Sequence, residues 1–170
     1  MRKERVVVSD TNILFDLLSI NLLEDFFLLP FEISTTDFVI HEIHRQEQID
    51  IINKYIFTKK LKVVSFSFSE IKEITNIYKT SSNNTSITDC SVWYYAKKTQ
   101  GRLLTGDNKL RKSAERDNVK VSGILYVFDS LIEYDILGKE KCTKKLTQLM
   151  NINKRLPHNE CNKRIKNWKT

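Results

Sequence analysis

The sequence predicts an α/β protein: a central, mainly parallel five-stranded sheet with helices on both faces. Three observations carry that prediction. Short apolar or β-branched runs alternate with helical patterns along almost the whole chain, the order that crossover connections impose on parallel strands. The first run, Val6-Val7-Val8, is apolar without alternation, as a strand buried on both faces must be. Capping residue types follow several of these runs directly, so a helix can begin where a strand stops.

After Val6–Val8, Ser9-Asp10-Thr11-Asn12 supplies caps for a helix through Ile13, Leu14, Leu17 and Leu18. Phe31 to Ser34 reads as the second strand. Thr35, Thr36 and Asp37 then offer caps for a helix carrying Phe38, Val39, Ile40 and Ile43 and continuing towards Phe57. Leu61 to Phe66 is the third strand, with Ser69 capping a helix through Ile71, Ile74, Ile77 and Tyr78. A polar loop over 81–85 leads to Ser86, the expected cap of a helix through Lys98, which Gly101 should terminate. Arg102 to Thr105 and Val119 to Ser122 are strands four and five, flanking a short basic helix from Lys109 to Arg116. Three helices close the chain, over 124–137, 139–151 and about 159–168. Residues 1–138 are expected to form the main domain, and 139–170 a helical tail packed on it.

Composition narrows the function. A chain of 170 residues buries roughly 70% of its unfolded surface and holds a core without staples. With 4 Gly in all, no dinucleotide fingerprint can form. Gly101 and Gly106 have phosphate-loop spacing, but Asp107-Asn108 follow where Lys and Ser/Thr belong, and a carboxylate there repels phosphate. Cys90, Cys142 and Cys161 are odd in number and widely spaced, which suggests neither zinc nor a disulfide framework. No leader-like run follows the N-terminus, and the leucine-rich stretch holds no apolar run beyond Phe26–Leu29, too short for a membrane span. A cytoplasmic protein without a membrane partner is the expectation.

Four acids stand out. Ligands of open parallel sheets bind beyond the carboxyl ends of the strands. Asp10 follows the first strand and Asp107 follows the fourth after one glycine, so both belong at that edge. Glu42 is expected about two turns into the helix after strand two. Asp89 lies in the first turn of the helix leading to strand four, among the core types Ile87, Cys90, Val92 and Trp93. Each acid alone could be a cap, a turn residue or a solvated side chain. Together they pose a problem of charge: two carboxylates about 4 Å apart repel by roughly 4 kcal/mol at an effective dielectric near 20. Cations relieve that repulsion, and hard oxygen donors select Mg²⁺ or Mn²⁺. Such ions support phosphodiester hydrolysis.

The stretches "VVVSDTNILFDL", "DFVIHEI", "SITDCSVWYYAKK" and "LLTGDNKLRKSAE", in that order and spacing, resemble the PIN-domain nucleases. The likeness extends through "VKVSGILYVFDSLIEYDIL", and the tail with "RLP" at 155–157 is similar to a bacterial and archaeal PIN subfamily. The resemblance implies a compact α/β/α sandwich and a metal-dependent endoribonuclease. It implies Asp10, Glu42, Asp89 and Asp107 as metal-binding catalytic acids, with Asn12 and Thr105 in support. Asp37 competes with Glu42 and reads better as a cap. The implied partners are RNA and, because many relatives are toxins of toxin–antitoxin pairs, a small antitoxin; a second copy of the chain is a further candidate. The alternative is a PIN-fold RNA- or partner-binding module without turnover.

Other constellations fail. His41-Glu42 and His44 mimic part of a zinc-protease motif, but Arg45 occupies the second histidine's place and cannot give up its proton to bind metal. The formal net charge of +7 is unevenly spread: residues 1–138 hold 18 basic against 19 acidic side chains, and residues 139–170 hold 10 against 2. Apolar stripes through Leu146, Leu149 and Met150, and through Cys161, Ile165 and Trp168, should dock the tail helices. Lys163, Arg164, Lys166 and Lys169 should then face outward. Lys97, Lys98, Arg102, Lys109, Arg111 and Lys112 are the better RNA-contact candidates, expected to flank Asp89 and Asp107.

Overall fold

The structure, a computed structural model, describes residues 3–81 and 84–170. Met1, Arg2 and the Ser82-Asn83 part of the expected polar loop lie outside the described residues. Five strands, β1 (Glu4–Val8), β2 (Phe31–Thr36), β3 (Lys62–Val64), β4 (Arg102–Leu104) and β5 (Lys120–Ser122), form one sheet. Its order is β3-β2-β1-β4-β5, and every pairing is parallel. Among the described residues ten helices accompany it: α1 (Thr11–Ser19), α2 (Leu23–Phe26), α3 (Asp37–His41), α4 (Gln46–Phe57) and α5 (Phe68–Thr80) come before β4, together with α6 (Ile87–Thr99). The others are α7 (Asn108–Arg116), α8 (Ile124–Glu133), α9 (Lys139–Ile152) and α10 (His158–Lys169).

The chain divides into two compact units. The first runs up to Thr11 and resumes over Pro30–Gly123, so it holds the whole sheet. Its core joins Val7 and Leu103 of the sheet to Val92, Trp93 and Ala96 of α6 and Leu110 and Ala114 of α7. Val6 and Val8 are also fully buried, which explains the unbroken apolar run of β1. Each such side chain contributes about 1.5–3 kcal/mol by leaving water. β1 lies between β2 and β4, so the strand order reverses at β1 and β4, the place where a parallel sheet leaves a crevice at its carboxyl edge.

The second unit comprises Asn12–Leu29 and Ile124–Thr170. Here α9 packs against α8 and α10 through the fully buried Leu146, Leu149, Cys142 and Cys161. Trp168 stacks in a tilted contact on Phe128. Arg164 departs from the expected outward face: its Nε donates to both carboxylate oxygens of Asp129, at 2.9 and 3.1 Å. A guanidinium half-buried beside α8 gains more from that chelate than from water.

Several helix ends differ from expectation. The expected helix from residue 37 to 57 is two helices, α3 and α4, broken across Glu42–Arg45. Asp37 does not cap α3. Thr36 holds the N-cap position, without a side-chain cap bond, and Asp37 Oδ1 is a buried oxygen lacking a hydrogen bond. Ser67, not Ser69, caps α5, in a reciprocal box with Glu70. At the end of α6, Gln100 adopts the left-handed conformation, φ 54°, and Gly101 serves a different need. A Cβ at Gly101 would stand 3.2 Å from the carbonyl oxygen of Arg5, so glycine relieves a crowded approach to β1.

Candidate active site

Asp10 and Asp107 project from the ends of neighbouring strands. Val8 pairs with Leu104, and the Ser9 N–H donates to the Leu104 carbonyl at 3.0 Å, which extends the β1–β4 pairing to the residue before Asp10. Asp10 is exposed. Asp107 is the N-cap of α7: its Oδ1 accepts from the Lys109 and Leu110 N–H groups at 2.7 and 3.2 Å. The Thr105 hydroxyl accepts from the Asp107 N–H at 3.1 Å. Thr105 itself is buried, so it fixes the turn that presents Asp107.

Asp89 is the third residue of α6 and half-buried. It closes a capping box with Ser86: its Oδ2 accepts from the Ser86 N–H at 3.2 Å, and its own N–H donates to Ser86 Oγ at 3.0 Å. Burial holds its carboxyl above the ordinary aspartate value; the Ser86 bonds oppose that, and the charges of Asp107 and Glu42 push it further up. These last two influences are the smallest of those acting on Asp89.

Glu42 stands at the C-cap of α3, where the sequence suggested a helix interior. It is exposed, and its Oε1 accepts from the Thr88 hydroxyl at 2.7 Å. Thr88 was not singled out by sequence reasoning. The only signal for it was a threonine beside Asp89 in a run of core types. Behind it lies a buried hydroxyl chain: Thr88 O accepts from Ser91 Oγ at 2.6 Å, and Ser91 Oγ meets Thr36 Oγ1 at 2.8 Å. The Thr35 hydroxyl donates to the Val8 carbonyl at 2.8 Å. These bonds tie the ends of β1 and β2 to the start of α6 and hold Glu42 on the same side as Asp89.

Asn12 is exposed near the start of α1, in the second unit. Among the described residues, no group of three or more His, Cys, Asp or Glu side chains stands close enough to hold a metal ion. Asp89 and Asp107 take helix N–H groups and Glu42 takes a hydroxyl. The donor chemistry nevertheless fits a hard divalent cation, because the acids are hard oxygen donors.

The six basic candidates separate. Lys109, Arg111 and Lys112 follow Asp107 on α7, and Arg111 Nη2 reaches the Thr105 carbonyl at 3.5 Å. Lys97 and Lys98 lie in the last turn of α6, about 12 Å along the helix from Asp89 at 1.5 Å per residue. Arg102 opens β4. These three stand at the amino edge of the sheet, in ion pairs with Asp117, Glu70 and Glu4 at 2.6, 2.8 and 2.7 Å. Lys98, with Ser67, draws the Glu70 carboxyl down to about 2. Trp93 is core, as expected, and its indole N–H donates to Asp117 at 3.0 Å.

A family model described as PIN domain matches residues 6–170. The chain belongs to the PIN-domain family. PIN domains are generally nucleases and typically use divalent metal ions. A solved structure similar to this PIN domain is that of FitAcB from Neisseria gonorrhoeae, at 11% sequence identity and a TM-score of 0.45, covering 71% of this chain and 98% of that chain. No curated protein matches the sequence. Among the described residues, no helix of this PIN domain is long and apolar enough to cross a membrane.

Proposed function

We propose that this PIN domain is a metal-dependent endoribonuclease of the cytoplasm that hydrolyses RNA phosphodiester bonds at the acids Asp10, Glu42, Asp89 and Asp107. The observation that carries this reading is the placement of the acids: Asp10 and Asp107 follow the ends of the paired strands β1 and β4, and Thr88, next to Asp89 on α6, donates to Glu42. These acids would hold Mg²⁺ or Mn²⁺, which when bound supplies an activated water and neutralises charge on the phosphate. The chain's own residues do the positioning. Ser86 orients Asp89, Thr88 orients Glu42, and Thr105 with the first turn of α7 orients Asp107. Lys109, Arg111 and Lys112 lie beside Asp107 and would meet the RNA backbone.

The test is cleavage of single-stranded RNA in Mn²⁺ by wild type, Asp10→Asn and Asp89→Asn. Loss of cleavage in both variants supports the reading, and equal cleavage by all three overturns it. A second reading, an RNA- or partner-binding module without turnover, is favoured by the lack of any metal-ready trio of side chains among the described residues. It predicts RNA binding with no Mn²⁺-dependent cleavage. A toxin role with a small antitoxin rests on the family resemblance. Co-expression with the product of the neighbouring reading frame tests it, relief of growth arrest being the supporting result. Sedimentation tests a homodimer.

A further inference from the structure

The edge of the sheet opposite the acids carries a charge pattern that the proposed reaction does not use. In a parallel sheet every strand starts on one edge, and three of the five start with a cation, Lys62 in β3, Arg102 in β4 and Lys120 in β5, while Arg5 is the second residue of β1. The register staggers them: Arg5 is level with Glu32, Arg102 and Lys120 stand one residue further along, and Lys62 two. At ~4.8 Å per strand this edge spans about 19 Å. Two clefts open along it. One, of about 450 Å³, is lined by Lys3, Arg5, Arg102 and Lys120 with Glu4. The other, of about 630 Å³, has Lys3, Lys59, Lys60 and Lys62 with Glu32. Lys3 belongs to both, so the clefts adjoin and present seven basic against two acidic side chains.

Both carboxylates already have partners: Glu4 pairs with Arg102 at 2.7 Å, and Glu32 with Arg5 at 3.5 Å and Lys62 at 3.9 Å. The two arginines are also held within the protein, Arg5 by the Thr99 carbonyl and Arg102 by the Ser122 hydroxyl. The surplus is therefore carried chiefly by the exposed Lys3, Lys59 and Lys120, which act as point charges towards phosphate. The second cleft also has Phe31, Ile33, Ile56, Leu61 and Val63 in its lining, beneath its lysines. A nucleic-acid backbone is bound largely by charge, and the excess of seven basic over two acidic side chains across the two clefts is what favours it.

We propose that this amino edge grips the sugar–phosphate backbone of single-stranded RNA, at a surface distinct from the acidic site. The proposal takes the chain's substrate class from the ribonuclease reading, but it concerns binding and not turnover. The test is fluorescence anisotropy of a labelled oligouridylate in EDTA across a salt series. It compares wild type, the triple variant K3Q/K59Q/K120Q, and a control, K141Q/K166Q/K169Q, that removes equal charge from α9 and α10. The expected result is a fall of about two units in the log–log salt slope for K3Q/K59Q/K120Q, from ~0.7 per lost contact on single strands, and a weakening of about tenfold or more. The control should change far less. Equal loss in both variants would overturn the proposal in favour of net charge alone. Equal binding of polyglutamate would overturn it in favour of an acidic protein partner. Mn²⁺ cleavage by the acid variants is read separately, so failure of the nuclease reading leaves this binding result interpretable.

Discussion

Replacing Asp89 by Asn separates a strained site residue from an ordinary helix cap. Asn keeps the side chain's shape and an oxygen for the Ser86 N–H, and it removes the charge. Turning a charge-assisted bond into a neutral one loses about 1 kcal/mol. Removing the half-buried charge and its repulsion by Asp107 and Glu42 returns about 0.5–1 kcal/mol per repulsion once the exposure of both partners is discounted, together with part of the burial cost. The expected net at pH 7 is no loss, up to a gain of about 1 kcal/mol, or a rise of about 0–4 °C in Tm for a chain of this size. The sign with pH follows from linkage. The carboxyl is raised in the folded state, so between the ordinary aspartate value and the raised one the folded chain binds more protons. Wild-type stability therefore falls as pH rises through that window. Any advantage of Asp89→Asn should thus be present above the window and vanish below it. Thermal unfolding followed by circular dichroism at several pH values measures both. A loss of more than about 1 kcal/mol at pH 7 would refute the reasoning, because Asp89 would then be a cap whose bonds outweigh its repulsions.

Three further outcomes are expected. Ser86→Ala removes one arm of the capping box and should cost about 1 kcal/mol, a fall of about 2–4 °C in Tm; an unchanged melting curve would contradict the box as a source of stability. Thr88→Val takes the hydroxyl from Glu42 and should lower kcat on RNA more than it raises KM, with Thr88→Ser restoring activity; failure of serine to rescue would count against a positioning role. Gly101→Ala sets a methyl 3.2 Å from the Arg5 carbonyl in a central strand, and overpacking of this kind should cost about 1–3 kcal/mol, read as a lower denaturant midpoint.

The sheet was legible in the sequence because its signal is local. Val6-Val7-Val8 is buried on both faces, and that condition leaves its mark on consecutive residues. The caps were only partly legible. Ser86 is legible as the cap that follows a polar loop, and the structure adds that Asp89 completes its box, yet Ser67 and not Ser69 caps α5, since both have a hydroxyl and only the backbone decides which one faces the first free N–H. The break after α3 carried no glycine or proline to announce it, so Glu42 was placed inside a helix that ends just before it. Asp10 and Asp107 were locatable from strand ends and Asp89 from a helix start among core types, whereas Thr88 and the Ser91–Thr36 link depend on segments far apart in sequence. The basic residues show the same limit. Lys97, Lys98 and Arg102 are near the acids in sequence, but one helix length carries them to the other edge of the sheet.

The acids either act as one cation-holding site or are separate caps, and calorimetric titration of Mn²⁺ into wild type and Asp107→Asn decides between these most directly. The expected result is saturable Mn²⁺ binding by wild type that weakens at least about tenfold in the variant, in line with the loss of one hard oxygen ligand. Identical titrations for the two proteins, or no binding by wild type, would contradict a shared metal site at Asp10, Glu42, Asp89 and Asp107.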